Sequence, residues 1–320
     1  MDLLSWRMGW SRLRGVLGHA ARRTRLVALR VVASRVPLAA LEPIAVGFSL
    51  LKASFDANRR ALGRERADFA SEILKITAPR SSRLLSAGAL EKLIDQRLHF
   101  GRQRQFDEAW PDLQRIAGTL EQTIAQLRRE APGCSFIVSP FHFVSQYANI
   151  YVIDDLRAKL GLARIGVVSG VPRDIYGSDD AMIPGLDVLY TYGQDNRTGL
   201  GLQVARSLRR NGVVVIFADV PPFTLHRYPM ETVGVSMFGR AARIHNGVFR
   251  MGAPLGAILL PFYLRFERGR FAGTLLEPIR LGDPDAPHRV AREIEEALTN
   301  NFERSLVAGH PSLYAFAPVK

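Results

Sequence analysis

Apolar and polar positions along this 320-residue chain follow two textures, and the change falls at Pro132-Gly133. Beyond it, short apolar runs at 136–139, 165–169, 188–190, 213–217 and 257–266 alternate with stretches of helical period at about 143–160, 199–210, 244–251 and 288–306. Runs of that length read as buried strands, and their alternation with helices predicts βαβ units and a mainly parallel sheet. The run at 271–279, after Glu267-Arg268-Gly269-Arg270, reads as a hairpin partner of 257–266, so the predicted sheet is mixed. Before the break, residues 67–130 carry a helical, amphipathic pattern, with Leu113, Ile116, Leu120, Ile124 and Leu127 at three-to-four spacing and no chemical motif. Residues 101–110 read as a charged connector. The expected organisation is a helical arm at 1–66, a helical subdomain at 67–131 and an α/β domain at 132–320.

Charge singles out the arm. Residues 1–66 hold 13 Arg and Lys against four Asp and Glu (Asp2, Glu42, Asp56, Glu65), a net +9 of the chain's +13. The cations interleave with Leu3, Leu4, Trp6, Met8, Trp10 and Leu13, then with Leu26, Val27, Leu29, Val31 and Val32. An amphipathic helix lying in an anionic membrane interface is written this way, with Trp at headgroup depth and Arg reaching phosphates. The same arm packed on the main domain is the plainer reading. No nucleic-acid-binding motif accompanies the charge, so nucleic acid is not an expected partner. Segment 36–51 is strongly apolar but short and holds Glu42 and Pro43, which predicts a buried or half-inserted helix rather than a span. The first thirty residues lack the apolar core and cleavage site of a secretory signal. The single cysteine, Cys134, excludes an internal disulfide and a cysteine-based zinc site, and its place beside an apolar run reads as a buried free thiol.

Candidate chemistry concentrates at Ser135-Phe136-Ile137-Val138-Ser139-Pro140-Phe141-His142. A histidine just past a predicted strand sits where α/β folds place ligands and catalysis. A neutral imidazole there can take a proton from an attacking hydroxyl or amine, given a group that fixes its tautomer and stabilises the imidazolium. A histidine hydrogen-bonded in the core is the competing reading. His19, His99 and His288 have no companions at metal-ligand spacing, so neither a metal nor another cofactor is expected. The chain has no G-x-S-x-G elbow, no P-loop and no G-x-G-x-x-G after a strand. A second strand, 213–217, runs into Ala218-Asp219-Val220-Pro221-Pro222 and so ends in a carboxylate and a rigid turn. Arg240 and Arg243, placed near an expected helix start, are candidates for binding phosphate or carboxylate.

The order His142-Phe143, Phe217-Ala218-Asp219-Val220-Pro221-Pro222, Phe238-Gly239-Arg240-Ala241-Ala242-Arg243 and Gly252-Ala253-Pro254 resembles the lysophospholipid acyltransferase superfamily. It is most similar to the branch of late (lauroyl/myristoyl) acyltransferases of lipid A biosynthesis. The ending His310-Pro311-Ser312-Leu313-Tyr314 and the N-terminal arm resemble that branch too. The resemblance implies a glycerolipid acyltransferase-like α/β domain at the cytoplasmic face of the inner membrane, peripherally bound to anionic lipid. It implies transfer from an acyl carrier protein or acyl-CoA donor to a hydroxyl or amine of a lipid-like or other acceptor at the membrane surface, with His142 as general base and no cofactor. By position in the order, Arg173 in Gly166–Tyr176 matches the acceptor-binding block, and Arg173, Arg240 and Arg243 would hold anionic groups.

The family signature places Asp or Glu five positions after the histidine, where this chain has Tyr147. A phenol can hold an imidazole N–H but supplies no charge at neutral pH. Asp154 and Asp155, twelve and thirteen positions on, lie roughly 18 Å away along a continuous helix. Two arrangements stand: a His142–Asp219 pair, or a weaker His142–Tyr147 dyad. A different class also stands, a non-catalytic protein of this fold that binds lipid or acyl chains and assists a partner.

Overall fold

A computed structural model describes residues 31–77, 79–104, 110–169, 183, 185–190, 199–221 and 231–307. Arg173, the ending at 310–314 and the basic arm before residue 31 lie outside them.

Among the described residues, a helical stretch at 31–35 is followed by α1 (Leu38–Phe55), α2 (Ala57–Glu72), α3 (Ser81–Arg104) and α4 (Pro111–Glu130). Asp56 separates α1 from α2 and caps the latter, its carboxylate accepting from the backbone N–H groups of Asn58 and Arg59. The predicted stripe on α4 is buried at Leu113, Ile116, Ala117, Leu120 and Ile124, and it packs on β8 and on the helix that follows β1. The charged connector is shorter than expected, because α3 continues to Arg104.

The remainder is α/β: β1 (Phe136–Pro140), α5 (Gln146–Lys159), β2 (Ile165–Ser169), β3 (Leu186–Tyr190), α6 (Gly199–Asn211), β4 (Val213–Val215), β5 (Thr232–Met237), β6 (Arg240–His245), α7 (Gly247–Gly252), β7 (Ile258–Glu267), β8 (Arg270–Leu275), β9 (Ile279–Arg280) and α8 (Ala286–Asn301). Seven strands form one sheet in the order β3-β2-β4-β1-β7-β8, with β9 also on β7. β3, β2, β4, β1 and β7 are mutually parallel, while β8 and β9 run antiparallel to β7. The sheet is therefore mixed and mostly parallel, flanked by helices. β1 lies between β4 and β7, and all five of its residues are buried.

The stretch 232–245 departs from expectation. It forms a separate antiparallel hairpin, β5–β6, with Phe238 and Gly239 at its turn, both at positive φ (50° and 69°). The helix expected from Ile244 begins only at Gly247. β4 also stops at Val215, two residues short of the expected run.

Helix α1 is not amphipathic: its buried and its exposed face are both largely apolar. Leu41, Ala45, Ser49 and Ala53 are buried, on a helix that packs against α3. Ile44, Phe48, Leu51 and Phe55 recur at the same spacing on another face and are exposed, Phe55 to 85%. By length and composition this helix could cross a membrane, with a mean hydropathy of 1.4 over 18 residues. Its acidic residue, Glu42, is paired within the fold, with Arg83 of α3 at 2.6 Å and with Arg304, while Lys52 in its last turn is exposed. Arg83 and Arg80 also hold Glu303, at 3.0 and 2.8 Å. The start of α1 lies on the β7–β8 turn, where a Cβ on Gly269 would come within 2.4 Å of the Ala39 backbone nitrogen.

Candidate active site

The carboxyl ends of β1 and β4 are neighbours, and each releases its chain into a tight turn there. After Pro140 the chain is pinned on both sides. Phe141 N–H donates to the carbonyl of Phe262 on β7 (2.8 Å), and the Asn149 side-chain amide donates to the Phe141 carbonyl (3.0 Å). Two three-residue turns follow, Phe143 N–H to Phe141 C=O and Ser145 N–H to Phe143 C=O, each 2.8 Å. Val144, at the centre of the second, has φ +67°, a costly conformation for a β-branched residue. The turn is braced by the segment after α8. Val144 N–H donates to the Arg304 carbonyl (2.9 Å), and Leu306 N–H donates to the His142 carbonyl (2.8 Å).

On the β4 side, Ile216 N–H donates to Val138 C=O (3.1 Å), and Ala218 N–H donates to the buried hydroxyl of Ser139 (3.0 Å). These bonds turn Asp219 back toward β1. One carboxylate oxygen accepts the backbone N–H of His142 at 2.5 Å, and the other lies 2.7 Å from its Nδ1. Asp219 is 1% exposed and the His142 side chain 15%. The ring of Phe217 lies against the imidazole at 4.6 Å between centroids. Burial of the imidazole disfavours its charged form. The charge and hydrogen bond of Asp219, together with the charge of Glu91, outweigh that, and the pKa of His142 is raised.

Of the expected site residues, His142 and Asp219 are thus brought together. Tyr147 faces elsewhere, its ring 5.8 Å from His99 and 6.3 Å from Tyr151. Asp154 is engaged by Arg102 (2.7 Å) and Arg157 (2.9 Å). Arg240 and Arg243 stand on the hairpin, not at a helix start, because the chain stays extended to His245. The exposed Arg243 donates to the Thr232 hydroxyl across the hairpin at 2.6 Å. It also borders an open groove of about 600 Å³ lined by Gly234, Ser236 and His288. Cys134 is half-buried rather than buried. Among the described residues, no group of three or more His, Cys, Asp or Glu side chains is placed to hold a metal ion.

Two residues of α3 that carry no sequence motif reach this region. Asp95 accepts the Ser145 hydroxyl at 2.5 Å and the backbone N–H of Tyr147. Glu91 accepts the backbone N–H of Gln146. Ser145 is itself the N-cap of α5, its hydroxyl accepting from Ala148 N–H at 2.9 Å. The three N–H groups at the start of α5 all end on side-chain oxygens, two of them sent from α3. Burial, and for Glu91 the charge of Asp95, push these carboxyls up to about 7 for Glu91 and about 6 for Asp95. The available sequence signal was the spacing of two acids one helical turn apart, each next to a core position, Leu90 or Ile94.

Chemically, the pair is an oriented imidazole. With Nδ1–H donated to Asp219, the Nε2 lone pair is the one that accepts a proton, and the carboxylate offsets the positive charge that then forms. No protein-family model matches this chain, and no curated protein does.

Proposed function

We propose that this chain transfers an acyl group from a thioester, on coenzyme A or an acyl carrier protein, to a hydroxyl or amine of a lipid-like acceptor, with His142 as general base. The observation that carries the reading is the buried His142–Asp219 pair at the carboxyl ends of adjacent parallel strands. It supplies a charged partner for the imidazole that Tyr147 could not provide, and so weakens the case for a non-catalytic lipid-binding protein. The α/β sheet with its flanking helices suits a glycerolipid acyltransferase-like domain.

In this reading, Nε2 takes the acceptor's proton as its oxygen or nitrogen attacks the thioester carbonyl. The tetrahedral intermediate then collapses, the C–S bond breaks, and the imidazolium returns the proton to the departing thiolate. Asp219 stabilises the imidazolium while it exists. Arg243, at the edge of the groove beside β5–β6, and Arg240 are candidate cations for an anionic group of the donor or acceptor, and Arg173 is the candidate for a phosphate or carboxylate of the acceptor.

The exposed apolar face of α1 and the cationic residues 1–66 favour work at an anionic membrane surface, on the cytoplasmic face of the cell membrane. An acidic carrier protein would suit the same basic charge. The test is incubation of the purified full chain with a labelled dodecanoyl thioester of coenzyme A or acyl carrier protein and a membrane lipid extract. Label should move to lipid, and His142→Ala should abolish the transfer. Thioester binding without turnover in both proteins would favour the non-catalytic reading instead.

A further inference from the structure

Neither helix propensity nor burial favours Asn149 where it stands. It lies one helical turn beyond Ser145, the N-cap of α5, and is 0% exposed. Asn has a low intrinsic preference for a helix interior. One of its polar groups is used: the side-chain amide donates to the Phe141 carbonyl at 3.0 Å. The other, Oδ1, is buried and has no hydrogen-bond partner among the described residues. A carbonyl only accepts, so the NH2 end faces Phe141 and the oxygen is the end left over. An unpaired buried oxygen costs at least as much as a typical hydrogen bond contributes. For core packing alone, an apolar side chain would serve better.

The carbonyl that Asn149 holds belongs to the peptide joining Phe141 to His142. Asp219 accepts the N–H of that same peptide at 2.5 Å. The C=O and N–H of a trans peptide point in opposite directions from one rigid plane. Asn149 therefore grips one edge of the plane from α5, and Asp219 grips the other from beyond β4. Side chains on a helix tilt toward its N-terminus, so a residue one turn in reaches back over the segment that feeds the helix. The Phe141 carbonyl also takes Phe143 N–H, and Phe141 N–H is tied to Phe262, each at 2.8 Å. Rotation of the 141–142 plane would change the direction in which the His142 side chain leaves the backbone.

We propose that Asn149 is a positioning residue for His142: opposite the hold of Asp219 on the His142 N–H, it fixes the peptide plane that aims the imidazole. The proposal rests on the reading of His142 as general base. Asp219 also bonds the ring, at Nδ1 and 2.7 Å, whereas Asn149 acts on the backbone and brings neither charge nor a proton. Its effect is orientation. The ring has to keep Nδ1 on Asp219 while presenting Nε2 to the acceptor, and a turn of the 141–142 plane displaces both nitrogens.

The experiment uses the full-length protein with Asn149→Leu, which keeps a similar side-chain volume without the amide, and Asn149→Ala, which removes both. Val152→Ala, at another fully buried position of α5, controls for lost packing alone. Each protein is read by the NMR shifts of the His142 ring nitrogens above its titration midpoint, where they report the tautomer. Urea unfolding and the single-turnover rate from dodecanoyl-CoA are measured beside them. Wild type should show the Nδ1–H tautomer alone. Both Asn149 variants should show a mixture of tautomers and a rate lower on the order of a hundredfold. Val152→Ala should keep the wild-type shifts and rate although its unfolding midpoint falls. Wild-type shifts in either Asn149 variant would overturn the proposal, as would an unchanged rate in a protein that turns over, or the same mixture in Val152→Ala. The ring shifts need no turnover. A wild-type protein that transfers nothing, yet loses its single tautomer in Asn149→Leu, would sink the acyltransferase reading and leave this one standing.

Discussion

His142 and Asp219 are 77 positions apart in the sequence, and their side chains meet at 2.7 Å across the ends of β1 and β4. The same carboxylate also takes the backbone N–H of His142, so it fixes both the turn and the ring. The fold supports this contact from three directions: the Ser139 hydroxyl beneath Asp219, the 304–306 segment beside the turn, and α3 behind the start of α5.

Ser139 is a direct test of that support. Its buried hydroxyl accepts Ala218 N–H at 3.0 Å, one residue before Asp219. Ser139→Ala leaves that N–H without a partner, at a cost of about 1–3 kcal/mol in urea unfolding. The change should also lower turnover, because the 218–219 turn loses its anchor on β1.

Stability should fall as pH rises from 5 to 8. Glu91 and Asp95 are carboxyls whose folded pKa values, about 7 and about 6, lie above their ordinary 4.5 and 3.8. Between those values the unfolded chain loses protons that the folded protein keeps, so stability drops with pH across that window. His142 has the same sign, its contribution being complete below about 6.5 and lost as pH rises through its raised folded value. Asp155 and Glu293, also raised by burial, carry the same sign above their ordinary values, whereas His245, whose pKa burial lowers, carries the opposite sign. Thermal unfolding of Glu91→Gln across this range should show a flatter dependence than wild type; a parallel curve would remove Glu91 from the explanation.

The Glu42–Arg304 pair links the exposed helix α1 to the segment that braces the His142 turn. Arg304 is 3% exposed, and its other contacts include the Arg83 carbonyl at 3.3 Å. Breaking a buried pair by removing one partner typically costs about 3–5 kcal/mol. Glu42→Ala should therefore be strongly destabilising in denaturant unfolding. Glu42→Gln, which keeps an acceptor oxygen, should cost less.

Membrane association predicts both a face and a salt dependence. Phe48 and Phe55 lie on the exposed side of α1, and burying one such ring in an interface contributes about 1.5–3 kcal/mol at full depth. In flotation with anionic vesicles, Phe48→Ser combined with Phe55→Ser should weaken binding at least about tenfold. Deleting residues 1–35 should weaken it further, and added salt should weaken it in every form. Undiminished flotation of the deleted protein at high salt would rule out the basic arm as the anchor.

The pattern of apolar runs was sufficient for most of the sheet, because β1, β4 and the first part of β7 are buried on both faces and so read as unbroken apolar stretches. The β5–β6 hairpin was not legible in the same way. Its residues alternate between buried Val235, Met237, Ala242 and Ile244 and exposed Gly234, Ser236, Ala241 and Arg243, and its turn pairs Gly239 with a Phe at positive φ, an uncommon residue there. The stretch therefore looked like a motif leading into a helix. At the site, His142 and Asp219 were legible because strand ends are where side chains emerge toward ligand. Glu91 and Asp95 offered only their one-turn spacing beside core positions, and what brings them to the start of α5 is the packing of α3 on α5, which that spacing does not encode.

The most direct test of the His142–Asp219 pair is the single-turnover rate of acyl transfer from a dodecanoyl thioester, compared between wild type and Asp219→Asn. Loss of the corresponding charge in a well-studied triad costs about 10⁴ in rate, and a drop of that order is expected here. An Asp219→Asn protein that turns over at the wild-type rate would show that His142 does not act as a base oriented by this carboxylate.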